Sequence, residues 1–402
     1  MGDGTVGTLR RTLLLAAAAL VAACVPAADG PGAGALLVSE KGRGAAIVLP
    51  DGSSRTVLRD ADGSTGPLQP TASPDGTAVA WTETGPSVAV WHDGEVTRVP
   101  IPFAPFFYLW RPDGSSLVAL GNDPDQPAVA AALIEPTGVS TVLASGAPFY
   151  LDWHPSRPEL AVNRNGSELL RLGLDGSVEP LGPTPGRFQA PAYTRAGDLF
   201  VLTGPFGGGT TASLVAVGTA QAERGELVLI AAGGGPPQVL LEVPGAAAFV
   251  PTPDGSRVAV AELAGSRSLE GRLVVVTVDD GETVELADSR TVLMDWSPDG
   301  TRLLYAVVEP DEGVMVPFVW DGAESTEYPS YRPTPTFVAE YLPFWDQYER
   351  SLTLWSPRSD AFAYAALVGE EGRVFVQSLD DPAPTDVAPG LFVSWIPGDQ
   401  EG

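Results

Sequence analysis

The sequence predicts an all-β fold, and three observations support this prediction. Gly and Pro account for 46 and 39 of the 402 residues, and both residue types favour turns. Short apolar runs of strand length follow one another along the chain, and Asp-Gly pairs separate many of them. A short phrase also recurs at intervals of about 40 residues. Together these features indicate one β-sheet unit that is repeated along the chain.

The recurring phrase is Pro-Asp-Gly followed by an apolar run, in four intact and four degenerate copies. The eight copies are anchored at positions 74, 112, 155, 195, 253, 298, 357 and 397, and the spacings between them are 38, 43, 40, 58, 45, 59 and 40. Most spacings match a four-stranded propeller blade of ~40–45 residues. The two long spacings predict insertions at about 204–224 and 321–351.

Residues 292–326 show how one unit is expected to fold. The first two strands are predicted at 292–296 and 302–308, and the last two at 314–320 and 323–327. Asp-Gly pairs suit the turns because glycine reaches positive φ without steric cost, while aspartate bonds to the backbone that follows it. We interpret Asp60-Ala61-Asp62-Gly63 in the same way, since the distal ligands of a calcium loop are missing.

The two ends of the chain predict how the repeats close into a ring. Residues 391–395 form a predicted first strand with no strands after it, whereas 35–40, 45–49 and 54–58 are three strands with none before them. Pairing these segments completes an eighth blade and hides the sheet edges. We therefore expect residues 34–402 to form a single β-propeller of eight blades. Seven blades is the alternative if one degenerate copy belongs to an insertion.

Residues 1–23 resemble an export signal. Arg10 and Arg11 precede an apolar stretch of 11 residues at 13–23, which is far shorter than the ~20 residues that span a bilayer. The segment from Val21 to Cys24 resembles the bacterial lipobox, in which the cysteine is acylated and becomes the new N-terminus. Cys24 is the only cysteine, so no disulfide or thiolate site competes for it. The alternatives are an ordinary secretory signal with an incidental cysteine and a twin-arginine export route.

Lipidation of Cys24 predicts a monomeric lipoprotein on the outer face of a bacterial membrane, periplasmic or at the cell surface, with residues 24–33 as a linker. The chain has 50 acidic and 23 basic residues and a net charge of −27. Nucleic acid is excluded as a partner because its binding relies on basic patches. So acidic a surface would also be repelled by anionic headgroups. We therefore expect the lipid, rather than surface charge, to hold the protein at the membrane.

The Pro-Asp-Gly turn and a Trp-x-Pro phrase resemble the repeat of TolB-like, WD-like propellers of the bacterial cell envelope. The phrase occurs at Trp153-His154-Pro155, Trp355-Ser356-Pro357 and Trp395-Ile396-Pro397. This resemblance covers nearly all of residues 34–397 and implies a propeller fold without a particular activity. We expect neither the additional α/β domain of TolB, because only about ten residues separate Cys24 from the first strand, nor a hydrolase domain, because no Gly-x-Ser-x-Gly elbow occurs.

The sequence contains few residues of the types that catalytic sites commonly use. His92 and His154 are the two histidines, and both fall in predicted turns at the surface, so we expect no metal site and no cofactor. Asp152 and Asp295 could act as paired carboxylates in glycoside chemistry. Their matching repeat positions favour instead a structural role in bonding to neighbouring backbone. Five tryptophans that share one repeat position are predicted to pack between blades: Trp110, Trp153, Trp296, Trp355 and Trp395.

The insertion at 321–351 contains seven aromatic residues, whereas the Gly- and Thr-rich insertion at 204–224 has no chemical signature. Both insertions are expected on the same rim. Large rigid rings outside a repeat strand suggest a recognition surface, and the alternative is a plug that packs over the channel. The candidate partner-binding residues are Tyr341, Phe344, Trp345, Asp346, Gln347, Tyr348 and Arg350.

Our leading hypothesis is a non-enzymatic, lipid-anchored envelope protein that binds a protein, peptide or glycan on this rim. The alternative is an extracytoplasmic, carbohydrate-active hydrolase or lyase that uses paired carboxylates near the channel mouth. A third hypothesis is a structural scaffold of the envelope. The scaffold predicts no concave site on the rim that carries the insertions.

Overall fold

A computed structural model describes residues 1, 34–64, 68–186, 189–204, 225–243, 246–263, 272–288, 290–345, 347–348 and 351–397. Within these residues the chain forms eight antiparallel sheets that are arranged as the blades of a ring. This confirms the predicted eight-bladed propeller over the seven-bladed alternative. The signal segment, Cys24, most of the first insertion, Asp346 and Arg350 lie outside the described residues. In the part of the chain that is described, no helix is long and apolar enough to cross a membrane.

The strands run through the chain in repeats of four. The first sixteen are β1 (Leu36–Glu40), β2 (Gly44–Val48), β3 (Arg55–Arg59), β4 (Thr71–Ala72), β5 (Ala78–Thr82), β6 (Ser87–His92), β7 (Glu95–Pro100), β8 (Pro105–Trp110), β9 (Leu117–Asn122), β10 (Val129–Ile134), β11 (Ser140–Gly146), β12 (Phe149–Trp153), β13 (Glu159–Arg164), β14 (Glu168–Gly173), β15 (Val178–Pro180) and β16 (Ala192–Tyr193). The others are β17 (Leu199–Thr203), β18 (Gly225–Ile230), β19 (Gln238–Val243), β20 (Ala246–Pro251), β21 (Arg257–Leu263), β22 (Leu273–Thr277), β23 (Thr283–Ala287), β24 (Thr291–Trp296), β25 (Leu303–Glu309), β26 (Val314–Trp320), β27 (Ser325–Glu327), β28 (Ala361–Val368), β29 (Glu371–Ser378), β30 (Thr385–Pro389) and β31 (Phe392–Trp395).

We number the blades along the chain. Blades 1 to 6 are β4–β7, β8–β11, β12–β15, β16–β19, β20–β23 and β24–β27. Blade 7 is β28–β30, and its innermost position is filled by residues 353–355, because Trp355 forms a bridge to Phe362 and Thr353 forms one to Trp395. Blade 8 combines β31 with β1, β2 and β3. Each blade therefore places its first strand beside the channel and its last strand at the outside.

Blade 8 closes the ring by pairing the two ends of the propeller. β31 is antiparallel to β1, with Leu36 opposite Trp395 and Val38 opposite Val393. Both strands are almost fully buried, so the closure removes an apolar edge from solvent as well as making hydrogen bonds. The predicted pairing of N-terminal and C-terminal strands is confirmed.

The repeated tryptophans bond one blade to the one before it. In four of them the indole Nε1 donates to a backbone carbonyl of the preceding blade's first strand. These bonds are Trp110 to Thr71 (3.2 Å), Trp153 to Leu109 (3.0 Å), Trp296 to Val250 (2.9 Å) and Trp355 to Asp295 (2.9 Å). All four rings are buried, so each one adds apolar contact to a directional bond. The predicted packing role is confirmed.

The Asp-Gly turns are held by aspartate, as predicted. In the intact repeats, Oδ1 of the aspartate accepts the backbone N–H two residues later, at 3.0–3.1 Å, and the glycines adopt φ of +67° to +76°, which costs glycine little. Asp62 accepts from the backbone of Ser64 and from Arg59. Residues 60–63 therefore form a turn, and the described residues contain no group of three His, Cys, Asp or Glu side chains that could hold a metal ion.

Candidate functional site

The second insertion is shorter than predicted, because its first part belongs to a blade. Ser325–Glu327 is the outer strand of blade 6 and pairs with β26. The inserted segment therefore begins at Tyr328 rather than at Asp321. It continues through isolated bridges at Tyr331 and Pro333 into a π-helical turn (Phe337–Tyr341) and a 3-10 turn (Leu342–Phe344).

The inner side of the insertion is an aromatic plug on the closing strand. The ring of Tyr341 stacks on Phe392 of β31 at 3.5 Å between centroids and 5° between planes. Phe337 stacks on the same ring, and Trp345 meets Phe337 edge to face. Tyr341 and Trp345 are only 1% and 5% exposed. This corrects the predicted binding set, because burial in the plug leaves these two side chains no surface for a partner.

The far end of the insertion reaches the opposite side of the ring. The hydroxyl of Tyr348 donates to the carbonyl of Phe149 in blade 3 (3.1 Å), and its ring packs against Tyr150 and Phe107. The hydroxyl of Ser351 donates to the backbone carbonyl of Tyr108 in blade 2. A segment that leaves blade 6 and enters blade 7 thus contacts blades 2 and 3. The insertion therefore covers the channel mouth, as the plug interpretation predicts.

An open cavity of about 230 Å³ remains between the plug and blade 2, and we call it the rim cavity. Its walls are mainly aromatic, with Phe344 40% exposed at the entrance. Tyr348 lies at its centre, with Phe106, Phe107 and Phe344 at 5.3–6.1 Å between ring centroids. The lining residues are Gln69, Phe106, Phe107, Ala339, Glu340, Phe344 and Tyr348. Gln347, from the predicted set, is half-buried beside this wall.

The polar side chains in the wall of the rim cavity are those of Gln69, Glu340 and Tyr348. Oε1 of Gln69 is buried and accepts no hydrogen bond among the described residues. Burial raises the pKa of Glu340, while the nearby charge of Arg43 acts in the opposite direction. Burial also raises the pKa of Tyr348, so its phenol stays neutral. The phenol hydroxyl already donates its hydrogen bond to the backbone carbonyl of Phe149. A ligand that donates hydrogen bonds fits the carboxylate form of Glu340.

The sequence did not indicate that Gln69 and Glu340 line a cavity on this rim. Gln69 lies in the loop before blade 1 with φ of +47°, a left-handed conformation that is uncommon for a residue other than glycine. No turn motif at this position reveals that geometry. Glu340 lies in the insertion, where no repeat fixes which side chains face inward. Phe106 and Phe107 precede a predicted first strand, which is a weak indication of their place at this mouth.

Asp152 and Asp295 bond to the next blade rather than to each other. Oδ2 of Asp152 accepts the backbone N–H of Tyr193 (2.7 Å), and Oδ1 accepts that of Trp153. Oδ2 of Asp295 accepts the N–H of Leu354 (2.9 Å) and the hydroxyl of Thr353 (3.3 Å). Both contacts tie a first strand to the following first strand. These contacts agree with the structural role that the sequence predicted for both residues. Asp152 lies in blade 3 and Asp295 lies in blade 6.

The two histidines have different environments. His92 is exposed, as predicted. His154 is buried, which corrects the predicted surface position: its Nδ1 accepts the backbone N–H groups of Ser156 and Arg157. Burial and the neighbouring Arg157 lower the pKa of His154. The ring therefore organises a turn as a neutral acceptor.

The structure resembles solved propellers of several functions. Dihydro-heme d1 dehydrogenase NirN in complex with DHE matches with a TM-score of 0.58 and 14% identity, over 92% of this chain and 76% of that chain. An oligogalacturonate lyase in complex with manganese matches with a TM-score of 0.53 and 15% identity, over 81% of this chain and 85% of that one. The chain has the β-propeller fold.

TolB from Acinetobacter baumannii is also matched, with a TM-score of 0.40 and 14% identity, over 69% of this chain and 73% of that chain. No protein-family model matches the sequence, and no curated protein matches it. At such low identities these likenesses describe the fold alone.

The division of the insertion into a buried and an exposed side predicts different effects of two substitutions. Trp345→Ala should lower the free energy of unfolding by about 3–5 kcal/mol, because it leaves a cavity inside the plug. Phe344→Ala removes a ring at the surface and should cost less than about 1 kcal/mol. Urea unfolding followed by circular dichroism measures both values. Equal effects of the two substitutions would contradict the assignment of Trp345 to the plug.

Asp295 predicts a pH dependence of stability. Burial raises its pKa to about 7, although Leu354 and Thr353 donate to it. The folded state therefore holds a proton that the unfolded state loses near pH 4, and the stabilisation falls as the pH rises from about 4 through 7. Relative to Asp295→Asn, the wild type should lose on the order of 2 kcal/mol of unfolding free energy between pH 5 and pH 8. Urea unfolding at both pH values tests this, and a constant difference between the two proteins would refute it.

Proposed function

We propose that this chain is an exported, lipid-anchored propeller without enzymatic activity that binds a peptide or protein partner through the rim cavity. The observation that carries the proposal is the open rim cavity itself, whose wall combines aromatic rings with the carboxyl group of Glu340. Ligand pockets commonly combine apolar walls with a few such polar groups.

The partner group that fits best is a basic side chain. An ammonium or guanidinium group donates hydrogen bonds only, and the carboxylate of Glu340 in the wall can receive them. The rings of Phe106, Phe344 and Tyr348 supply negative π-faces that attract a cation. The net charge of −27 draws basic partners toward the surface. The charge of Arg43 reaches Glu340, but the hydrogen bonds of its guanidinium go to Thr82 and Thr84.

The enzymatic alternative requires carboxylates that are free to react. Both oxygens of Asp152 accept backbone hydrogen bonds, and the contacts of Asp295 hold the adjacent blade in place. These contacts favour binding over hydrolysis or elimination. A scaffold without a site predicts no cavity on this rim, so the rim cavity favours binding over that hypothesis too.

Binding of a basic side chain can be measured with matched peptides. A peptide with a central lysine should bind at least tenfold more tightly than the same peptide with norleucine, because the cation adds π and carboxylate contacts. Phe344→Ala and Glu340→Gln should each weaken binding of the lysine peptide at least fivefold in isothermal titration calorimetry. Val338→Ala alters an exposed side chain of the same insertion outside the cavity and serves as the control. Equal affinities for the two peptides would contradict the proposal.

The anchor is tested separately from the cavity. Mass spectrometry of protein purified from membranes should find diacylglycerol on Cys24, and Cys24→Ser should move the protein into the soluble fraction. Acyl chains can hold an acidic protein at an anionic surface because their burial is independent of its charge. Recovery of an unmodified, soluble wild-type chain would rule out the anchor.

A further inference from the structure

A second cavity lies at the other end of the first strands, where they enter the Pro-Asp-Gly turns. It has a volume of about 270 Å³, and we call it the channel cavity. Its walls come from the inner ends of blades 4 to 8. The rim cavity is formed instead at the beginnings of the first strands and by the insertion. The two cavities therefore lie on opposite faces of the propeller, and nothing assigned to the rim cavity explains the channel cavity.

About half of the channel cavity wall is apolar, and the wall has few hydrogen-bond donors. Five of its lining residues are prolines at or just after the ends of first strands, and proline has no backbone N–H. Trp296 and Trp355 also line it, but their indole N–H groups are used in the bonds between blades. The hydroxyl of Thr353 donates to Asp295. A ligand in this space would therefore meet few free hydrogen-bond donors.

Two polar groups of the wall are free. The phenol of Tyr193, in blade 4, has no hydrogen-bond partner among the described residues. Oδ1 of Asp295, in blade 6, likewise receives no bond from them, since both donors go to Oδ2. Asp152 has the same repeat position in blade 3, but Trp153 and Tyr193 occupy both of its oxygens and it does not line the cavity. The same structural residue thus has a spare acceptor only where it faces open space.

We propose that the channel cavity is a binding site for one small neutral hydroxylated ring, such as a monosaccharide or a cyclic polyol. Such a ring has apolar C–H faces that suit the proline wall, and hydroxyl groups that both donate and accept. One hydroxyl bonds to Asp295 Oδ1, donating to it when the carboxyl group is ionised and accepting from it when the group is protonated, and another oxygen accepts from the phenol of Tyr193. The volume is just below the ~300–1,000 Å³ of typical ligand pockets, which favours a single ring over an oligomer.

The experiment uses glucose, galactose, N-acetylglucosamine and myo-inositol as probes. Binding is followed by tryptophan fluorescence, because Trp296 and Trp355 line the cavity, and by isothermal titration calorimetry. At least one probe should bind the wild type saturably. Asp295→Ala and Tyr193→Phe should each weaken it at least tenfold. Tyr193→Phe removes one oxygen only and keeps the ring that packs on His154, so it tests the site even if Asp295→Ala fails to fold.

Two matched variants separate this site from the other features of the molecule. Asp152→Asn alters the equivalent repeat position away from the cavity, and Phe344→Ala alters the rim cavity. Both should leave probe binding within twofold of the wild type. The proposal is overturned if no probe binds the wild type, if Tyr193→Phe binds as tightly as the wild type, or if Phe344→Ala abolishes binding.

Discussion

The antiparallel ladder between β1 and β31 is the constraint on which the rest of the molecule depends. Twisted sheets that only stack side by side leave two open edges, and pairing the ends of the ring removes them. β31 also carries Phe392, on which the rings of Tyr341 and Phe337 stack. One strand of four residues thus completes the eighth blade and supports the plug. The channel mouth is covered because the ring is closed.

The two ends of the channel differ because different parts of the repeat form them. Turns from the repeat itself build one end, so its wall is rich in proline and has few free hydrogen-bond donors. An insertion without a repeat builds the other end, and its aromatic side chains cross from blade 6 to blades 2 and 3. The fold supplies a rigid ring, and binding chemistry is added where the repeat is interrupted or leaves an atom free.

The sequence predicts the parts of this structure that local chemistry determines. Asp-Gly turns, the tryptophan position and the unmatched terminal strands each follow from nearby residues, and all were predicted correctly. The insertion was harder, because without a period nothing distinguishes the buried Trp345 from the exposed Phe344. The difference between Asp152 and Asp295 is equally invisible in the sequence. Both occupy one repeat position, and only the space between distant blades decides which keeps a free oxygen.

The closing strand also has a consequence for how the protein is made. β1 is synthesised long before β31, and Leu36 and Leu37 of β1 are fully buried in the finished ring. The apolar edge of β1 therefore has no partner until β31 has been made. Contacts between such distant segments form late in folding. A β31 strand from a second copy offers the same register, which makes this seam the place where two chains would exchange strands. Rapid closure within one chain therefore competes with the exchange of strands between two chains.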